Sequence, residues 1–127
     1  MSTIKTTTLS TLDGTATVPV NTVVNGSAKA WVNFNGTGTV AIRASFNVTS
    51  ITDNGTGDYT VNFTTAMVDA NYSTCYGGQF DTSGSGAAFA IFGLSRVASP
   101  QTVNGVRLIT GNTVLADITI ANVAIFR

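Results

Sequence analysis

Asp53 and Asp58 flank an Asn-Gly turn, Asp69 and Asp81 flank a glycine-rich stretch, and Cys75 is the single thiol of the chain. These are the residues whose types could do chemistry. A pair of carboxylates is the usual equipment of glycoside hydrolysis. Asp53 and Asp58, however, stand where aspartate is expected to bond the backbone of a tight turn, and Asp69 and Asp81 read as loop solvation and turn capping. The chain has no histidine, so Cys75 has no neighbour of that type to activate it and reads as a small buried hydrophobe. No Asp-x-Asp-x-Asp-Gly ladder is present for calcium. The glycine-rich stretches lead into no helix that would cradle a phosphate. The expectation is a protein that is not an enzyme, with no catalytic residue, no metal site and no cofactor.

Two places remain for recognition. In "YSTCYGGQFDTSGSG", residues 72–86, Tyr72, Tyr76 and Phe80 lie among glycines and small polar residues. Aromatic rings offer flat contact area and Gly-Ser segments adjust around it. A sugar on a host surface could stack there while Gln79 and Asp81 bond its hydroxyls. These five residues form the candidate receptor-binding set; the other reading makes the aromatics strand-face residues that close the core. The second place is the only tryptophan. In "AKAWVNFN", Ala28, Ala30, Val32 and Phe34 face one way and Lys29, Trp31, Asn33 and Asn35 the other. Trp31 therefore faces away from the apolar side. It belongs either to a subunit interface, where an amphipathic indole is favoured, or to an intramolecular sandwich edge.

The elements that must position these residues are strands. Thr, Ser and Asn are dense, glutamate is absent and charged residues make up 9% of the 127, a mix that favours strands and turns. Residues 1–24 read as an extended N-terminal arm, with Pro19 limiting 15–24 to an edge strand or an extended segment. Residues 25–127 read as one β-sandwich domain. "TVAIRASFNVTSI" alternates as a single strand with Val40, Ile42, Ala44, Phe46 and Val48 on one face. Asp53–Asp58 turns it into "YTVNFTTAM", which is expected to pair with it antiparallel. Ala87–Leu94 reads as a buried strand. Thr113–Phe126 reads as a long final strand with Val114, Ala116, Ile118, Ile120, Ala124 and Phe126 on one face. About eight strands with turns between them predict an all-β, antiparallel β-sandwich or jelly-roll-like fold.

Composition also excludes partners. Net charge is zero with no basic cluster, against nucleic-acid binding. The longest apolar run, Ala87–Phe92, is far short of a helical span, so no membrane insertion is expected, and Met1–Ser10 lacks the apolar stretch of a secretory leader. Sequons at Asn25, Asn35, Asn47, Asn54, Asn62 and Asn71 follow from Asn-Gly turns and Asn-x-Thr alternation. So apolar and uncharged a chain is expected to hide surface between subunits.

The stretch Ala28–Tyr72, with its Lys-Ala-Trp-Val-Asn-Phe run, its Asp-Asn-Gly-Thr-Gly hairpin and its Val-Asn-Phe-Thr-Thr strand, resembles a segment of tail-fibre and related virion proteins of tailed bacteriophages. The closing "ITIANVAIFR" is similar to their C-terminal ending. The resemblance implies a β-rich homotrimer on the virion surface, assembled in the host cytoplasm. It would act as a tail-fibre or receptor-binding domain, or as a capsid decoration protein. Its partners would be itself, other virion proteins through the arm, and a host surface glycan. A free carbohydrate-binding module is the reading from another class.

Overall fold

A computed structural model of the chain describes every residue except 80–90, 96 and 112–113, and the backbone alone at Ile91 and Phe92. The described residues are mostly β, with a single short helix. The strands are β1 (Thr8–Ser10), β2 (Thr17–Pro19), β3 (Ala28–Asn35), β4 (Ala41–Phe46), β5 (Val48–Gly55), β6 (Asp58–Phe63), β7 (Ser73–Gln79), β8 (Ile91–Leu94), β9 (Gln101–Thr102), β10 (Gly105–Gly111) and β11 (Ile120–Phe126). The helix, α1, is Val20–Gly26. One sheet runs β4-β3-β11-β7, and the other runs β5-β6-β10-β8 with β9 also on β10. All pairings are antiparallel. The fold is all-β and sandwich-like.

Period-two alternation builds the core. β3 contributes Ala30, Val32 and Phe34, β11 contributes Ala121, Val123 and Ile125, and the opposite sheet answers with Tyr59, Val61, Phe63, Val106 and Leu108. Burying each large side chain of this kind contributes about 1.5–3 kcal/mol. Phe34 meets Tyr59 edge-on at 5.4 Å between ring centroids, and Phe63 meets Tyr72 likewise at 5.8 Å. The hairpin expected at Asp53–Asp58 is present and joins β5 to β6. Asp53 accepts from the Gly55 N–H at 2.9 Å, which is the turn role expected of it. Gly57 is held at φ +64 with its N–H on Asp117, and a Cβ there would lie 2.5 Å from the Thr110 carbonyl.

Three expectations need correction. Residues 39–51 are not one strand. The chain breaks at Asn47, the one described non-glycine residue with positive φ, at +54. There it leaves the first sheet as β4 and enters the second as β5. The Asn47 amide donates to the carbonyls of Lys29 (3.0 Å) and Thr65 (3.1 Å) and accepts from the Thr65 N–H (2.8 Å), tying the two sheets together at the corner. A register shift in the β3–β4 pairing, where Asn33 faces Ala44 but Phe34 faces Ile42, further reverses the parity of β4. Ala44 and Phe46 consequently point out of the sandwich, where Phe46 is 54% exposed.

The arm is not extended either. β1 and β2 form a hairpin whose loop is closed by Asp13, which accepts from the hydroxyls of Thr11 (2.7 Å) and Thr15 (2.8 Å). Those bonds hold the Asp13 carboxyl down at about 2. α1 follows because Pro19, at φ −59, lacks an N–H and suits the head of a helix. Val20, Val23 and Val24 also carry helical spacing. Finally, the last strand is Ile120–Phe126 only. Its core side is Ala121, Val123 and Ile125, so Ile120, Ala124 and Phe126 do share a face, but the outer one; Ile118 is buried from outside the strand. The buried strand expected at Ala87–Leu94 is seen as β8 alone, since 87–90 lie outside the described residues.

Candidate functional site

The outer face of the β4-β3-β11-β7 sheet carries a row of side chains directly opposite one another. Phe46 pairs with Trp31, Trp31 with Ala124, and Ala124 with Cys75. Period-two alternation in β3 turns Trp31 outward because Val32 and Phe34 are taken by the core. The β4 shift brings Phe46 beside it. Trp31 is 40% exposed. The neighbouring row is Ala44, Asn33, Asn122 and Gly77, in which the Asn33 amide donates to Asn122 at 2.6 Å. With no large side chain at Gly77, a shallow apolar hollow of about 410 Å³ opens between β3 and β7, over Trp31, Asn33, Cys75, Gly77, Asn122 and Ala124. None of these residues is charged. Trp31 thus faces away from the core. Cys75 was expected to be buried, but it is exposed because its strand turns Tyr76 inward instead.

Of the candidate receptor-binding set, Tyr72 and Tyr76 face the core. Tyr72 is 5% exposed and lies in the core, with its hydroxyl donating to the Gly105 carbonyl at 2.8 Å and lying 3.1 Å from that of Thr102. Burial pushes its phenol up to about 12. Tyr76 faces Val123 and packs against the core, and burial raises its phenol as well. Neither ring is presented to a receptor; glycine neighbours had suggested a loop, but here they sit inside a regular strand. Gln79 is exposed at the end of β7. Phe80 and Asp81 lie outside the described residues.

The outer face of the second sheet is polar. Asn62 donates to Ser50 and Thr52, and Asn54 donates to Thr60. Asp58 takes both arms of Arg107 at 2.9 and 2.8 Å, and that hydrogen-bonded pair holds its carboxyl below the usual range. A cleft of about 250 Å³ lies beside it, lined by Thr60, Asn62, Ser99, Pro100, Thr102 and Arg107 among others. Because Asp58 neutralises Arg107, this cleft presents hydroxyls and amides with little net charge. Asp69 instead pairs with Arg127 at the chain's end, which likewise lowers its carboxyl. Among the described residues, no three of the His, Cys, Asp and Glu side chains gather at a point that could hold a metal ion, and no described helix is long and apolar enough to cross a membrane.

The chain matches no protein-family model, no curated protein and no solved structure. The two sheet faces are the surfaces on which a function can act. Of these the Trp31 face is the more unusual. Phe46 is the member that sequence reasoning missed, since a period-two count carried through Asn47 assigns it to the core. Asn47 itself was the available signal, because asparagine is the non-glycine residue most at ease at positive φ.

Proposed function

We propose that this chain is a structural protein of a bacteriophage virion, that it is not an enzyme, and that it works as a homotrimer in a tail-fibre or receptor-binding role. The observation that carries the reading is the Phe46–Trp31–Ala124–Cys75 row on the open face of a regular sheet. A lone domain gains only a cross-strand contact of about 0.2–1 kcal/mol from Trp31 beside Phe46, whereas an interface also gains the burial of both rings. The resemblance of Ala28–Tyr72 to tail-fibre and related virion proteins supplies the setting. Localisation on the virion, attachment to other virion proteins through the arm, and contact with a host glycan belong to the same proposal.

The inward placement of Tyr72 and Tyr76 weakens the receptor role and favours capsid decoration as the second reading. Labelled antibody on intact particles tests both. Signal at the fibre tips is expected, signal over the capsid assigns decoration, and particles that carry none of the chain overturn the virion reading. A carbohydrate-binding module is favoured by one specific feature, the Asn33 and Asn122 amides beside the Trp31 and Phe46 rings. Such a module would be monomeric and bind glycans unaided.

A further inference from the structure

Residues 1–27 fold without burying anything. None of them is buried, and only Val18 and Val20 are even half-buried. Ile4, Leu9, Leu12, Val23 and Val24 stand in solvent. A hairpin of two three-residue strands is marginal in water by itself. A seven-residue helix with no buried residue and no side-chain bond at its N-cap has no independent stability. These elements need a surface to lie on. The start of β3 does not offer one; it only fixes where the arm departs. Ser27 donates to the Val23 carbonyl at 2.5 Å, Lys29 reaches the Val24 carbonyl, and Ala28 pairs with Phe126. The arm thus leaves from the Phe126 end of the very sheet whose outer face is uncovered.

The two unpartnered surfaces match in character. The hollow over Trp31 is apolar and uncharged. The hairpin segment "TTTLSTL", residues 6–12, is uncharged as well, with Lys5 and Asp13 at its two ends, so only those two ions have to stay at the wet rim of the contact.

We infer that the arm of one copy seats on the Trp31 face of the next, with Leu9 and Leu12 over Trp31, Phe46, Ala124 and Cys75. This rests on the homotrimer reading and gives it a mechanism. The contact is head-to-tail, and three repeats of it close a ring.

Cys75 is the only cysteine, so Leu12→Cys adds a single possible disulfide partner. Full-length Leu12→Cys/Cys75→Ser chains are mixed with wild-type chains under mild oxidation and run on a non-reducing gel. The arrangement predicts a crosslinked pair between the two chain types, which is lost when both carry Cys75→Ser. The full-length Leu12→Cys chain keeping its own Cys75 should ladder up to the trimer; a band that stays monomeric through an internal disulfide overturns the exchange. In parallel, full-length Leu9→Asp/Leu12→Asp should lose the trimer and shift Trp31 emission to that of exposed indole. Both positions are exposed and outside the core, so the fold should be kept, as circular dichroism would show. A wild-type trimer whose emission and mass survive the double substitution overturns the arm exchange alone. A wild-type monomer overturns the exchange together with the homotrimer.

Discussion

Asn47→Ala tests the corner on which the two sheets turn. The substitution removes two amide donations and one acceptance, at 2.8–3.1 Å, that join Lys29 and Thr65. At a half-buried corner where water can replace part of each bond, three such losses cost about 2 kcal/mol. Alanine must also adopt φ +54, which adds about 1 kcal/mol. The sum, about 3 kcal/mol, corresponds to a fall in Tm of about 10–15 °C for a domain of this size. Asn47→Gly relieves the backbone strain of about 1 kcal/mol but not the lost bonds, so it should be less damaging than alanine by up to about 0.5 kcal/mol, once glycine's own entropy is counted. Urea unfolding followed by circular dichroism, at one protomer concentration throughout because association shifts apparent stability, measures all three proteins. An alanine variant within 1 kcal/mol of wild type, or a glycine variant worse than alanine, would refute the account of the corner.

Other outcomes follow from single contacts. Gly57→Ala should destabilise by about 2–4 kcal/mol in the same unfolding assay, since its Cβ meets the Thr110 carbonyl at 2.5 Å on a backbone at φ +64. Because Arg107 lowers the folded-state pKa of Asp58, the pair stabilises above the unfolded value near 3.8 and the benefit is lost as pH falls through the lower folded value. Unfolding midpoints should therefore drop below about pH 4, and Asp58→Asn should flatten that drop. Tyr72→Phe should cost about 1 kcal/mol by removing the shorter of two hydroxyl donations to the Gly105 carbonyl, the Thr102 hydroxyl remaining at 3.2 Å, and it should leave any binding to host cells unchanged.

What the sequence disclosed is what local chemistry decides. Asn25-Gly26 and Asn35-Gly36 bracket a clean period-two run, so β3 and the outward aim of Trp31 were legible. Asn54-Gly55 announced the β5–β6 hairpin for the same reason. The parity of β4 was not legible, because each residue from Val40 to Phe46 suits a strand and only pairing with β3 creates the shift that turns Phe46 outward. Tyr76 was misread because the two glycines that follow it, Gly77 and Gly78, suggest a loop until Val123, far along the chain, pairs with it. Val18, Val20, Val23 and Val24 satisfy strand spacing at one end and helix spacing at the other, and Pro19 decides where one gives way. The ion pair of Asp58 with Arg107 depends on the register of β6 with β10, which no local pattern encodes.

Sedimentation equilibrium of the purified chain at micromolar concentration tests the central claim most directly. The account predicts about 39 kDa, three protomers of 13.1 kDa, with Trp31→Asp lowering the mass toward one protomer while the circular dichroism spectrum is kept. A wild-type chain that sediments at 13.1 kDa alone would contradict it.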